Sequence, residues 1–199
     1  MIENSKREIL SLLKNVFSDT PVVVPLADTV RIMNDLGRTE NELYVLGSMG
    51  MPLSIATGVA KGFQDQGVNK KCVCIEGDGG LLLNFNSILT AQFLDLKNLI
   101  IVVLDNEQYG ATGCQPTYTS KLDLVNIAKE VGYKCHSFSI ESSTDDIKDT
   151  LIDAIDDPEN SYFINIKITK SHETAPFFYD NPVILMHEFQ EFIYKLKIL

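Results

Sequence analysis

Short apolar runs that alternate with stretches of helical period leave this chain few folds to adopt. The runs Val22 to Pro25, Leu43 to Leu46, Lys71 to Ile75, Leu99 to Leu104 and Tyr162 to Ile168 read as strands, with a weaker one over Tyr133 to Phe138. Between them, apolar residues recur every three or four positions. Phe85, Ile88, Leu89, Phe93 and Leu96 define a helix over Asn84 to Leu96, and Leu124, Ile127, Ala128 and Val131 define one over Asp123 to Val131. Two more follow over Thr144 to Ile155 and Val183 to Leu196. The opening MIENSKREILSLLKNVF gathers Ile9, Leu10, Leu13, Val16 and Phe17 on one face; it lacks the continuous apolar core of a signal peptide and reads as a first helix. Strands joined in this way form a mainly parallel sheet with helices on both faces, the α/β class.

A length of 199 residues suits a single domain over 1–199, and 45% apolar against 22% charged residues excludes the disordered and membrane-spanning classes. The 17 Lys and Arg against 27 Asp and Glu leave a net charge of −10, which repels a nucleic-acid backbone and removes it as an expected partner. The same sign requires any anion site to rest on a metal ion, a helix N-terminus or another subunit. Cys72 and Cys74 alternate within an apolar run, as buried strand thiols do, so a reducing cytoplasm is expected. Lys170 to Pro182 is the one long stretch without a period; it suits a functional loop, an arm onto another subunit or a plain surface loop equally.

In an open parallel sheet, ligands bind at the carboxyl edge, so the loops after the strands carry the chemistry. Gly77-Asp78-Gly79-Gly80 lies between a strand and a helix: its glycines admit a close ligand, and free amides at the helix start favour phosphate. Asp78 beside an anion makes sense if a hard cation bridges the two, although an acidic turn with glycines for tight geometry fits the tetrapeptide as well. Asp105-Asn106-Glu107-Gln108-Tyr109-Gly110 follows the strand LIIVVL and offers an amide oxygen and main-chain carbonyls of the kind Mg2+ prefers; taken alone, Asn106 is equally a turn residue. It stands 28 residues after Asp78, room for one helix and one strand, so both can return to the same edge. The third loop, Gly47-Ser48-Met49-Gly50, suits a flat ring pressed on the backbone with Met49 as a wedge, or simply close helix-to-strand packing.

Together these residues resemble the diphosphate-binding domain of thiamine-diphosphate-dependent enzymes, whose signature is a Gly-Asp-Gly turn followed about 25 to 30 residues later by an asparagine. The resemblance implies that Asp78, the Asn106 side chain and the Gln108 carbonyl hold Mg2+. It also implies that Gly47, Ser48, Met49 and Gly50 cradle the aminopyrimidine, with Met49 bending the cofactor, and that Gly77, Gly79, Gly80, Tyr109 and Gly110 complete the cofactor site. ENELYVLGSMGMPLSIATGVA, GDGGLLLNFNSILTAQFLDLKNLIIVVLDNEQYGATGCQPTYTS and NPVILMHEFQEFI are similar to one branch, which comprises the β subunits of sulfopyruvate decarboxylase and the corresponding part of phosphonopyruvate decarboxylase. Gly80 departs from the pattern, standing where a serine is common.

The resemblance further implies a split enzyme. An α subunit with the pyrimidine-binding domain is expected to supply the activating glutamate, giving a hetero-oligomer that decarboxylates a small anionic 2-oxo acid, phosphonopyruvate or 3-sulfopyruvate, to an acetaldehyde and CO2. Arg31, Arg38, Lys170 and His172 are candidates for the substrate's anionic group and equally solvated surface charges; His136 and His187 have no ligand spacing. Two other readings stay open: the β subunit of a 2-oxoacid oxidoreductase, against which the cysteines lack iron–sulfur spacing, and a non-catalytic cofactor-binding module.

Overall fold

A computed structural model describes residues 3–170, 173, 175–178 and 180–196. In chain order the strands are β1 (Val22–Val24), β2 (Glu42–Tyr44), β3 (Cys72–Gly77), β4 (Leu99–Asp105), β5 (Gln108–Tyr109), β6 (Gln115–Pro116), β7 (Lys134–Phe138) and β8 (Tyr162–Lys167). β5 and β6 form a small antiparallel ribbon; the other six make one parallel sheet in the order β2-β1-β3-β4-β8-β7. The helices are α1 (Lys6–Val16), α2 (Asp28–Asp35), α3 (Pro52–Asp65), α4 (Asp78–Leu83), α5 (Ser87–Phe93), α6 (Leu124–Val131), α7 (Thr144–Asp156) and α8 (Pro182–Leu196).

The apolar strands are explained by cover on both faces. Val73, Ile75, Ile100 and Val102 enter a core closed by α1, α2, α7 and α8. Their neighbours Cys72, Cys74, Leu99, Ile101 and Val103 point the other way, into a core closed by α3, α4, α5 and α6. The period of two along each strand thus feeds two separate interiors. α1 starts where Ser5 accepts from the Glu8 amide at 3.1 Å, the capping geometry its S-x-x-E sequence encodes. Just ahead of it, Asn4 is buried and pinned: its amide donates to the Ile140 carbonyl at 2.8 Å, and its own carbonyl accepts from Thr169 N–H at 2.9 Å. Among the described residues, no helix is long and apolar enough to cross a membrane.

Every expected strand is present, with ends shifted by one or two residues. The helix expected over Asn84 to Leu96 is different. The first turn begins at Asp78, inside the glycine-rich segment, and α4 stops at Leu83; Asn84 leaves helical geometry at φ −135°, and α5 resumes at Ser87, whose hydroxyl donates to the Asn84 carbonyl at 2.6 Å. Leu89 and Phe93, read as core residues, are exposed. Helix α2 and the β5–β6 ribbon had no periodic signal, because each is too short to repeat one. The small-residue segment after Met51 is a full helix, α3, with Ala56 and Ala60 buried against the sheet.

Candidate functional site

The chain leaves β1 toward β2 on one side and β3 toward β4 on the other, so the sheet order reverses between β1 and β3. A crevice necessarily opens outside the carboxyl ends of two such strands. Here it is a cleft lined by Pro25–Thr29 after β1, Glu76–Gly80 at the end of β3, Leu104 in β4, Asn106 just after it, Gln108–Ala111, and Lys6, Met49, Gly50 and Pro52.

Gly77 has extended geometry and caps α4, so Asp78 stands at the first position of the helix. Its carboxylate is almost fully buried. Thr117 donates to Oδ2 at 2.5 Å and Thr119 at 3.3 Å; the two hydroxyls lie 2.9 Å apart, and Thr119 also bonds Asp105 Oδ1 at 3.0 Å. Burial pushes the Asp78 pKa up to about 6, while the Thr117 hydrogen bond and the Gly79 amide oppose the rise and Asp105 adds to it. Asp105 has a cation, Lys167 Nζ, at 2.8 Å; Asp78 has none within 4.0 Å among the described residues. A buried, hydroxyl-oriented carboxylate without a counter-charge fits a divalent cation.

The two glycines after Asp78 are required for different reasons. A Cβ on Gly79 would lie 2.5 Å from the Tyr109 ring, with Met49 Cε 3.5 Å away, so Tyr109 and Met49 meet over a bare backbone. A Cβ on Gly80 would lie 2.2 Å from Glu76 Oε1. The carboxyl of Glu76 therefore occupies the space that a side chain at position 80 would enter, and a serine there would have to displace it. Glu76 itself is buried, accepts only from the Gly77 amide at 3.2 Å, and leaves Oε2 without a partner; burial pushes its pKa up to about 8.

After β4 the chain makes a tight turn. Asn106 Oδ1 accepts from the Gln108 amide and Asp105 Oδ1 from the Glu107 amide, both at 3.1 Å, with Glu107 in the left-handed region at φ 57°. The strained backbone is held by its side chain: Lys170 and Lys167 each reach the Glu107 carboxylate at 2.9 Å and hold its pKa below the ordinary carboxylate value. The loop after β2 is fixed from α4. Asn84 Nδ2 donates to the Gly50 carbonyl at 2.8 Å and to Ser54 Oγ at 3.1 Å, and Gly50, at φ 86°, packs against the Asn84 Cβ. The break between α4 and α5 thus supplies the residue that seats Met49.

Of the residues singled out in the sequence, Met49, Gly50, Gly77, Asp78, Gly79, Gly80, Asn106, Gln108, Tyr109 and Gly110 line one cleft; Gly47 and Ser48 are exposed beside it. Of the substrate-anion candidates, Arg31, Arg38 and Lys170 do not line it, although Lys170 lines a smaller recess beside it. Arg31 lies 3.8 Å over the Phe177 ring and 3.6 Å from Asp28, Arg38 pairs with Glu188, and Lys170 is bound to Glu107. His172, with part of the segment from Lys170 to Pro182, lies outside the described residues. His136 stacks on Tyr162, and His187 sits in α8. Nothing in the sequence pattern singles out Glu76, Thr119 or Asn84, and Thr117 stands out only as part of Gln115-Pro116-Thr117 in the stretch that carries the family resemblance. Lys6 had a signal, a lysine in the first turn of a helix against the dipole preference.

The family model of the thiamine pyrophosphate enzyme C-terminal TPP-binding domain matches residues 29–166. The chain is 35% identical over 156 residues to the sulfopyruvate decarboxylase subunit beta of Methanocaldococcus jannaschii, which covers 77% of this chain and 78% of that one. It is 30% identical over 145 residues to phosphonopyruvate decarboxylase of Streptomyces viridochromogenes, covering 72% of this chain and 34% of the other. Among solved structures, benzoylformate decarboxylase from Polynucleobacter necessarius has the same fold at a TM-score of 0.70 and 24% identity over 84% of this chain. The chain spans about a third of the length of that structure, 34%.

Proposed function

This chain belongs to the thiamine pyrophosphate enzymes, in the family of their C-terminal TPP-binding domain, and from that premise we propose that it is the β subunit of a Mg2+- and thiamine-diphosphate-dependent decarboxylase. Its substrate is an anionic 3-substituted pyruvate, 3-sulfopyruvate or phosphonopyruvate, and its products are the corresponding acetaldehyde and CO2. One observation carries the reading: Asp78, Asn106 and Gln108 line the same switch-point cleft as Met49, Gly79 and Tyr109, so metal and ring contacts lie within reach of one cofactor. The likeness to a protein named as a subunit supports a partner that carries the pyrimidine-binding domain and the activating glutamate. The free cysteines, Cys72 and Cys74 buried among them, fit a cytoplasmic enzyme.

When bound, thiamine diphosphate supplies the nucleophilic carbon and the electron sink for loss of CO2. The residues of this chain act on geometry and charge. Asp78, oriented by Thr117 and Thr119, would hold Mg2+ together with the Asn106 side-chain oxygen and the Gln108 carbonyl, and through the metal the diphosphate. Met49, seated by the Asn84 clamp on Gly50, would press on the cofactor from the side and keep it bent. Gly79 lets both Met49 and Tyr109 approach the main chain closely.

The reading is tested by purifying the chain from its source cells with Mg2+ and thiamine diphosphate present, and assaying the resulting complex for CO2 release from 3-sulfopyruvate and phosphonopyruvate. A stoichiometric partner and turnover of either substrate support it; a chain that purifies alone, or a complex inert toward both, refutes it. In the active complex Met49→Ala is expected to lower kcat by about tenfold or more while changing cofactor affinity little, since a wedge acts on conformation rather than on binding. An unchanged kcat would remove the wedge from the mechanism.

A further inference from the structure

The cleft is lined by one cation, Lys6, and by the carboxyl side chains of Asp28, Glu76 and Asp78. Among the described residues, Asp78 has no cation within 4.0 Å, and Lys6 has neither a hydrogen bond nor an ion pair there. Lys6 is half-buried at the first position of α1, where the helix dipole disfavours a positive charge. It also lines a smaller polar recess beside the cleft, with Asn106, Gln108 and Gly110. The charged groups facing it are Asp28, Asp78 and Glu173, with Lys170 across the recess; burial still pushes its pKa below the ordinary lysine value. Helix stability does not explain a lysine here, and Asp28, Asp78 and Glu173 attract it only from beyond ion-pair distance. A ligand carrying both a cation for Asp78 and an anion for Lys6 explains it.

We propose that Lys6 is a positioning residue for the cofactor, its ammonium donating to the diphosphate. The inference rests on the cofactor reading above. One Mg2+ does not cancel the charge of a diphosphate beside a carboxylate, and in a chain of net charge −10 a local cation offsets the remainder. Lys6 supplies it from this chain. The anion-binding groups therefore need not all come from the partner.

The test is calorimetric titration of the purified complex of the full-length chain with its partner subunit, using two probes, thiamine diphosphate and inorganic pyrophosphate, each with Mg2+. Lys6→Met keeps the aliphatic stem and removes the charge; it is expected to weaken both probes by about 10- to 100-fold and to leave the unliganded melting temperature unchanged. Lys6→Arg should stay within about threefold of the parent, because it restores a cationic donor. Equal affinity of Lys6→Met and the parent for both probes overturns the inference. So does weakening toward thiamine diphosphate alone, which would put the lysine on the organic part of the cofactor. Asp78→Asn separates the two levels of the argument. If it loses Mg2+-dependent binding while Lys6→Met does not, the cofactor site stands and the role of Lys6 falls; if the parent binds neither probe, both fall.

Discussion

Asp78→Asn is expected to abolish Mg2+-dependent binding of thiamine diphosphate while leaving the fold in place. Asparagine has nearly the same shape and keeps a side-chain oxygen to accept from Thr117 and Thr119, so the buried hydroxyls remain satisfied. What is lost is the charge, and with it the anionic ligand for a hard cation. Groups that merely orient metal ligands are worth about 10- to 100-fold in affinity, so loss of the ligand should exceed about a hundredfold. Burial already penalises this carboxylate, and the unliganded variant should therefore melt no lower than the parent. Calorimetry with and without Mg2+ measures the first effect and thermal unfolding the second. Undiminished Mg2+-dependent affinity would remove Asp78 from the metal site.

The second large effect concerns stability. Glu76 is a buried carboxyl with one unpartnered oxygen and a pKa pushed from 4.5 to about 8. The unfolded chain gives up this proton near pH 4.5 and the folded chain only near 8, so between those values the folded state binds more protons and stability falls as the pH rises. Above both values the charged form costs the folded state up to about 5 kcal/mol. Glu76→Gln removes the titration and keeps the side-chain volume. The variant should gain on the parent steadily from pH 5 to pH 8.5, with little difference at the acidic end, in urea unfolding of the unliganded chain. A difference that does not change with pH would mean that Glu76 is solvated or paired in solution.

The fold was legible in the sequence because both strand faces are covered. Runs such as LIIVVL have no alternation to misread, and β4 appears within one residue of where they put it. Asp78 and Asn106 were legible as a pair because strand ends in a parallel sheet converge on one edge, which turns sequence separation into proximity. The partners of these residues were not. Thr117 and Thr119 sit in an irregular stretch after the β5–β6 ribbon and look like any loop hydroxyls until the fold brings them to Asp78 across 39 and 41 residues. Glu76 was hidden inside the apolar run of β3, where its meaning depends on the absent side chain at Gly80. The helix expected from Asn84 starts instead at Ser87, and α4 ahead of it was hidden because its six residues are too few to show a period.

The pinning of Asn4 sets an order in time. The carbonyl that holds its amide is 136 residues downstream, and the amide that reaches its carbonyl belongs to Thr169, so Asn4 has no seat until the chain through Thr169 has been made. Lys6 follows two residues later. During synthesis the walls of the cleft at β1, β3 and β4 can assemble while α1 and its lysine are still undocked, and a nascent chain cut short before β8 lacks the lock that fixes them. The wall of the cleft that carries Lys6 is therefore completed last, although it is synthesised before the strands it joins.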